Sequence, residues 1–260
     1  MKKSMLELWK FRELIVALTF REIKVRYKQT FLGASWAVLQ PAALTVIFTV
    51  VFGNFLKVGS ESIPYPIFAY SALLPWTLFA NSVTFGSLSV VNNGNLVTKV
   101  YFPREILPIA SVVAAFFDFL IAGVIFLVMI YFYKIHLTLN ILFLLIIVPA
   151  ILMFTLGISF ILSTLNVIFR DIKFVVPLGL QVWLYLSPVI YSMNQVPDNI
   201  RKIYIFNPIA PLLQSFRSVT LMGSPPVFIE LYLSLVFSFF ILILGYVFFK
   251  FKEKIFADVI

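Results

Sequence analysis

The chain has 260 residues, of which 62% are hydrophobic and only 12% are charged, and its mean hydropathy is +1.03. Soluble domains are about half apolar and about a quarter charged, so this composition excludes a water-soluble enzyme and indicates an integral membrane protein. The formal net charge of +9 is therefore interpreted as a signal of membrane topology, and no nucleic-acid partner is expected. The absence of cysteine excludes disulfides and thiolate metal sites, and the single histidine, His136, cannot form a metal site alone.

Six apolar runs are each long enough to cross about 30 Å of hydrocarbon as a helix. The predicted spans are residues 33–56, 65–90, 106–133, 139–165, 174–192 and 228–249. Proline inside an apolar run predicts a kink or a break, and such prolines are Pro149, Pro177 and Pro188. The predicted fold class is an all-α integral membrane protein, in which residues 32–260 form a transmembrane domain of six helices.

Lysine and arginine are distributed unequally between the two sides of these predicted spans. Fifteen of the 20 lie in the N-terminal segment, in the loops after the second and fourth spans and in the C-terminal tail, and five lie on the other side. Because cytoplasmic segments are enriched in lysine and arginine, both termini are predicted to be cytoplasmic. The first long apolar run begins only after Lys28, so a removable signal peptide is not expected.

Residues 1–31 mix charged and large apolar side chains, and we predict that they form an amphipathic interfacial helix on the cytoplasmic side. Leu8, Phe11, Ile15 and Leu18 recur at helical spacing, and most of the charged residues fall on another face. Two roles remain open for this helix: a simple positively charged anchor, or an element that gates the protein or docks a partner.

The sequence contains no evident source of energy for transport. No glycine is followed by lysine, so the P-loop motif is absent, and no segment outside the predicted spans is large enough for a nucleotide-binding domain. Only Asp118 lies near the middle of a predicted span, which supports an ion-coupled transporter weakly; its carboxyl is predicted either to hydrogen-bond to another helix or to line a pore. Catalytic motifs are also absent. These observations favour a conduit driven by another chain, or a passive or scaffold protein.

Residues 91–105 form the second inner loop, which combines an Asn- and Gly-rich breaker with a short helix that stops at Pro103. This loop would present apolar side chains to the cytoplasm, and such surfaces indicate a partner. A helix that lies on the membrane is the alternative. The apolar residues are Leu96, Val97, Val100, Tyr101 and Phe102.

Residues 193–227 form an outer segment with five prolines between short apolar stretches. This pattern predicts short re-entrant helices that dip back into the membrane and cap the exit. Arg217 would then lie near lipid depth and would need a partner, which the sequence alone does not identify.

Three groups of residues carry a family resemblance that extends over nearly the whole chain. They are residues 21–30 with 32–33, 36 and 39–41; residues 74–76 with 92 and 96–108; and residues 166–173 with 187–191 and 206–208. In this order they resemble the permease subunits of the ABC type-2 transporters that export cell-surface polysaccharides, the O-antigen and teichoic-acid group. The motifs do not separate one glycan from another.

The resemblance implies a transport subunit rather than an enzyme, in the bacterial inner membrane. Such a permease would form a homodimer with two copies of a separate ATPase subunit, which would bind ATP and Mg²⁺, and no cofactor is expected in this chain. The loop after the second span would couple to the ATPase through Leu96, Val97, Lys99, Val100, Tyr101 and Phe102. The first helix would border the entrance for a polyprenyl-diphosphate-linked glycan, through Arg21, Lys24, Arg26, Tyr27 and Lys28.

The basic residues of the first helix have two possible anionic ligands. They can hold the diphosphate of the substrate, or they can attract anionic lipid headgroups.

A pathway for a glycan would offer aromatic surfaces and uncharged polar groups. Aromatic residues make up 17% of the chain, and most of them are expected to face lipid or the interface. Amides at membrane depth usually face protein or water. The candidates for the pore lining are Trp36, Gln40, Phe48, Gln181, Trp183 and Tyr185.

The predicted function is therefore the permease subunit of an ATP-driven exporter of a lipid-linked cell-surface polysaccharide such as O-antigen. The alternatives are export of teichoic acid or of a small molecule by the same fold, and a membrane scaffold or polymer-processing enzyme that does not transport.

Overall fold

The computed structural model describes residues 8–28, 33–60, 63–197, 204 and 207–259, and within these ranges the chain is helical and contains no β-strand. The predicted all-α fold is therefore confirmed. We number the helices α1 (Arg12–Tyr27), α2 (Trp36–Phe48), α3 (Tyr65–Leu88), α4 (Gly94–Lys99), α5 (Ile106–Phe132), α6 (Leu144–Ile168), α7 (Ile172–Tyr185), α8 (Ile209–Arg217), α9 (Phe228–Lys252) and α10 (Phe256–Val259). Two π-helical segments, Thr49–Phe55 and Ser218–Met222, prolong α2 and α8.

Among the described residues, four helical stretches are long and apolar enough to cross a membrane, and they coincide with four of the six predicted spans. They are Trp36–Phe55, Ile106–Phe132, Leu139–Ile168 and Phe228–Ile255. The other two predicted spans are helices of a different character. α7 has only 14 residues and ends at Tyr185, ahead of Pro188, so the predicted span of residues 174–192 is helical only as far as Tyr185. α3 has 24 residues, but its serine, threonine, asparagine and proline residues lower its mean hydropathy.

α3 is the central helix of the larger core. It contacts α2, α5, α6, α7 and α8, and most of its residues are buried. Its polar residues are therefore covered by protein: the Ser71 hydroxyl donates to the carbonyl of Phe68, and the Tyr70 hydroxyl donates to the carbonyl of Ala122 on α5 at 3.0 Å. Hydrogen bonds of this kind explain how a helix of moderate hydropathy forms the centre of a membrane protein.

α6 and α9 approach each other more closely than any side chain would allow. A Cβ atom at Gly245 would lie 2.2 Å from the carbonyl oxygen of Gly157, and a Cβ at Gly157 would lie 2.6 Å from the carbonyl oxygen of Ile241. Small residues at helix crossings let backbones pack together where the hydrophobic effect is weak. The two glycines therefore define this crossing.

A second, smaller core lies where α1, the loop of residues 91–105 and the end of α9 meet. Its buried residues include Leu18, Val97, Phe102, Phe249 and Phe256. The predicted apolar stripe of the N-terminal helix, from Leu8 to Leu18, packs against this core rather than against lipid. The helix still exposes large apolar side chains on another face: Trp9, Val16, Phe20 and Val25.

Arg217 at the end of α8 is completely buried, and the structure supplies the partners that the sequence did not reveal. Its Nη2 donates to the carbonyls of Pro188 and Val189, both at 3.1 Å, and its Nε donates to the Ser71 hydroxyl. Its guanidinium lies 3.8 Å from the centroid of the Phe68 ring. Arg217 therefore ties α8 to α3 and to the turn that follows α7. α8 is an α-helix of the outer segment, which also contains the 3-10 helix Met193–Gln195, and residues 198–203 and 205–206 of that segment lie outside the described residues.

Candidate functional site

The predicted entrance residues do not all face solvent, because Arg26 forms an ion pair with Asp118 on α5. Arg26 Nη1 lies 2.7 Å from Asp118 Oδ2, and the two side chains are only 10% and 11% exposed. Arg26 Nη2 donates to the carbonyl of Ser111 at 3.3 Å, and the guanidinium stacks on the ring of Phe85 at 3.9 Å. The hydrogen-bonded alternative predicted for Asp118 is confirmed, with α1 as the helix that it contacts.

Tyr27 completes this site by donating from its hydroxyl to Asp118 Oδ1 at 2.6 Å. Burial raises the pKa of the Tyr27 hydroxyl, and the hydrogen bond to Asp118 raises the pKa further, so this group remains a donor at neutral pH. The carboxylate of Asp118 therefore accepts one hydrogen bond from each of two adjacent residues at the end of α1.

The other basic residues of the predicted entrance differ in their surroundings. Arg21 is partly buried; it donates to the side chain of Asn93 and contacts Glu22 at 3.3 Å. Lys24 and Lys28 are exposed. Of the four basic residues of the predicted entrance, two contact other parts of the protein and two are available to an anionic surface.

The predicted ATPase-contact residues separate into two groups. Val97 and Phe102 are buried in the second core, and Leu96 is half-buried. Lys99 and Val100 are exposed, and Tyr101 is 93% exposed although the adjacent Phe102 is 5% exposed. The loop therefore uses some of its apolar side chains to anchor itself and presents the others outward.

An ion-pair network fastens this loop to the end of α9. Lys250 Nζ lies 2.7 Å from Glu105 Oε2 and 3.0 Å from Glu253 Oε2, and the Glu105 side chain is completely buried. Arg104 donates to the backbone carbonyl of Glu253. The ring of Phe256 packs edge-on against Phe249, with the ring centroids 5.2 Å apart. Sequence reasoning missed this network, because nothing in the local pattern connects Glu105 to a lysine 145 positions away.

A groove of about 500 Å³ lies beside the network, between the loop, α1 and the end of α9. Its lining is mainly basic and apolar and includes Lys10, Val100, Tyr101, Arg104 and Lys254. The groove adjoins the exposed ring of Tyr101, so the loop and the C-terminal end of α9 form one continuous surface.

The predicted pore-lining residues also fall into different environments. Phe48 is buried, with its ring edge-on to Phe52, whereas Trp36 and Tyr185 are about half exposed. Gln40 and Gln181 are exposed, and Gln40 also borders a cavity of about 10 Å³ that is shared with Asp118. Four of the six candidates thus lie on the surface of the single chain, on α2 and α7.

Trp183 is half-buried. Its indole Nε1 donates to Asn207 Oδ1 at 2.9 Å, and its ring packs edge-on against Phe79 and Phe154. Asn207 in turn donates to the carbonyl of Leu186 and to the Ser187 hydroxyl. Trp183 and Asn207 therefore hold the end of α7 in place.

Trp183→Phe is expected to lower the stability of the purified chain by at least about 0.5–1.5 kcal/mol, because an aromatic ring is kept but one partly buried hydrogen bond and some packing are lost. The measurement is the thermal unfolding midpoint in detergent. Tyr185→Phe, on the exposed part of the same helix, is the matched control and should leave the midpoint unchanged. A normal midpoint for Trp183→Phe combined with impaired transport would instead favour the pore-lining role.

Comparison with known proteins gives a consistent result. Residues 13–221 match the family model described as ABC-2 type transporter. The chain is 30% identical over 213 residues to an O-antigen export system permease protein RfbA of Klebsiella pneumoniae, which covers 82% of both chains, and 31% identical over 216 residues to RfbA of Myxococcus xanthus, again covering 82% of both. It is 22% identical over 250 residues to the polysialic acid transport protein KpsM of Escherichia coli, covering 92% of this chain and 93% of KpsM. The chain therefore belongs to the ABC-2 type transporter family, as a membrane subunit with several apolar helices.

Proposed function

We propose that this chain is the permease subunit of an ATP-driven exporter that moves a lipid-linked cell-surface polysaccharide, such as O-antigen, across the bacterial inner membrane. The observation that carries the proposal is the similarity over four fifths of the chain to permeases named for O-antigen export. The relatives named for polysialic acid transport support the broader class of polysaccharide cargo.

The proposed topology has six spans, with α3 and α7 added to the four apolar stretches, and both termini in the cytoplasm. α3 supports this assignment because it is long enough to cross a bilayer and its polar groups are covered by other helices. α7 is too short to cross alone, and we propose that the turn of residues 186–192 completes its passage. α8 is proposed to be re-entrant, because a buried short helix with a buried arginine is tolerated at membrane depth only inside protein.

ATP and Mg²⁺ are proposed to bind a separate ATPase subunit in two copies. Its docking surface on this chain would be the outward face of the loop of residues 91–105, with Lys99, Val100 and Tyr101 as contacts. An exposed aromatic ring beside another exposed apolar side chain, here Tyr101 beside Val100, is typical of an interaction site. Val97 and Phe102, which are buried, would position this surface instead of touching the ATPase.

The chain is proposed to act as a homodimer whose conduit is lined by the exposed residues of α2 and α7. Trp36, Gln40, Gln181 and Tyr185 are exposed on the single chain, and a second copy would enclose them. Their amides and ring edges suit a glycan, which has both hydroxyl groups and apolar C–H faces.

The cargo is proposed to be loaded beside α1 as a polyprenyl-diphosphate-linked glycan. The exposed ammonium groups of Lys24 and Lys28 can attract a phosphate group. These groups also attract anionic lipid headgroups, which would place the helix at the membrane surface.

Depletion of the chain in its native cell tests the proposal. The expected result is that a completed glycan accumulates on its lipid carrier in the inner leaflet and disappears from the cell surface, and that the native chain supplied on a plasmid reverses both effects. Accumulation of a teichoic acid or of a small molecule would mean that the chain is a transporter with a different cargo from the one proposed. A normal surface and no accumulated intermediate would contradict the proposed function.

A further inference from the structure

The Arg26–Asp118 ion pair places two charges where few water molecules can reach them. Removing an ion from water costs several kcal/mol, and a buried pair offsets this cost only if its remaining hydrogen-bonding groups are also satisfied. At this site Asp118 accepts one hydrogen bond from Arg26 Nη1 and one from Tyr27. Both oxygens of the carboxylate therefore accept a hydrogen bond.

Two donors at this site are not reached by the carboxylate. In the part of the chain that the structure describes, Arg26 Nε and the Ser111 hydroxyl are both buried and have no hydrogen-bond partner. The two residues are adjacent, because the carbonyl of Ser111 accepts from Arg26. Buried polar atoms are almost always paired, so two unpartnered atoms beside one ion pair indicate that another ligand with more oxygens fits this site.

A phosphate group can reach donors that Asp118 leaves unpaired. It is tetrahedral, carries up to two negative charges and can receive two parallel N–H bonds from arginine, whereas Asp118 receives one bond from Arg26 in this structure. The site lies at the end of α1 that also carries the exposed Lys24 and Lys28, which can guide an anion toward it.

We propose that Arg26, Tyr27 and Ser111 form a binding site for the phosphate of a membrane lipid, and that the carboxylate of Asp118 is an internal competitor that occupies this site until the lipid displaces it. Only the identity of the ligand, a lipid diphosphate, rests on the proposed function; an anionic phospholipid offers the same chemistry. Displacement breaks the link between α1 and α5, so loading of the lipid also releases the end of α1. Asp118 thereby sets how tightly the cargo must bind before the helix moves.

Equilibrium binding to the full chain in a maltoside detergent, which contains no phosphate, tests the competition. The probes are polyprenyl diphosphate and phosphatidylglycerol. Asp118→Asn removes the competing charge and is expected to tighten binding at least about tenfold. Asp118→Glu keeps the charge and should bind less tightly than Asp118→Asn. The double variant Arg26→Gln/Asp118→Asn should lose the tighter binding that Asp118→Asn alone produces. Unchanged affinity in Asp118→Asn, or a gain that survives Arg26→Gln, would overturn the proposal.

A second measurement does not depend on the folding of the Asp118 variants. The native chain has no cysteine, so spin labels at Val25→Cys on α1 and Leu120→Cys on α5, two exposed positions, report the separation of the helices. A saturating phosphate lipid is expected to shift this distance, and an unchanged distance would contradict displacement.

The two probes identify the source of the phosphate. If Asp118→Asn binds only polyprenyl diphosphate more tightly than the native chain does, the site is a cargo site. If it also binds phosphatidylglycerol more tightly, the site takes lipid headgroups, with Asp118 as the competitor in both cases. Neither measurement involves ATP or export, so each can fail or succeed independently of the depletion experiment.

Discussion

Lys250→Met is expected to destabilise the junction between α9 and the loop of residues 91–105 by about 3–5 kcal/mol, because it removes the cation beside a carboxylate that is completely buried. Glu105 would remain in the second core, and Glu253 would lose the same ammonium group. The loop should then leave its site more often. Limited digestion with trypsin measures this release, since the exposed Lys99 lies within the loop and should be cleaved faster in the variant.

The control for this experiment is Lys252→Met, which removes the same type of residue two positions further along α9. Lys252 has no ion pair with a described residue, and its ammonium group lies 5.6 Å from the centroid of the Phe251 ring. Its loss should leave the cleavage rate close to native. The charge-exchanged variant Glu105→Lys/Lys250→Glu should recover part of the protection. Equal cleavage of the Lys250→Met variant and the native chain would show that the ion pair does not hold the loop.

Gly245→Val is expected to prevent the accumulation of folded chain, because the side chain would occupy the space of the Gly157 backbone on α6. Even a single methyl group at this position would lie 2.2 Å from the Gly157 carbonyl oxygen, so Gly245→Ala should already separate α6 from α9. A backbone atom cannot rotate away as a flexible side chain can. The measurement is the fraction of detergent-extracted protein that elutes as a monodisperse peak before and after heating.

Gly123 provides the matched control, since it lies in α5 and no atom lies within 4 Å of the Cβ that would be added there. Gly123→Ala should be neutral or slightly stabilising, by roughly 0.5–1 kcal/mol, because alanine restricts the unfolded chain more than glycine does. If Gly245→Ala and Gly123→Ala behaved alike, the close crossing of α6 and α9 would not limit folding.

The basic residues of α1 illustrate how far sequence reasoning extends. The clustering of Arg21, Lys24, Arg26 and Lys28 predicted an anion-binding face, and two of the four are exposed. The partner of Arg26 was not predictable, because Asp118 is 92 positions away and its neighbour depends on how α1 lies against α5. The isolated acid in the middle of an apolar span was nonetheless the right signal, since a buried carboxylate requires a partner.

The loop of residues 91–105 shows a similar limit. Composition identified it as a surface with apolar side chains, but the sequence could not separate the buried Phe102 from the adjacent, exposed Tyr101. That separation depends on the second core, to which α9 and α10 contribute Phe249 and Phe256. Arg217 is a comparable case, because its carbonyl partners become accessible only where the turn after α7 folds back.

Hydropathy and proline positions by themselves determined that the chain is all-helical, that it has at least four stretches able to cross a membrane, and that the helix of the fifth span ends before Pro188. These properties depend on the free energy of moving a local segment from water into the membrane and on the inability of proline to continue a helix. Both are set by residues that are neighbours in the sequence. Tertiary structure alone decided which charges pair, which glycines meet and which residues cover the apolar face of α1. Such pairings join residues 80 to 150 positions apart, and they arise from the packing of helix surfaces, which no local period specifies.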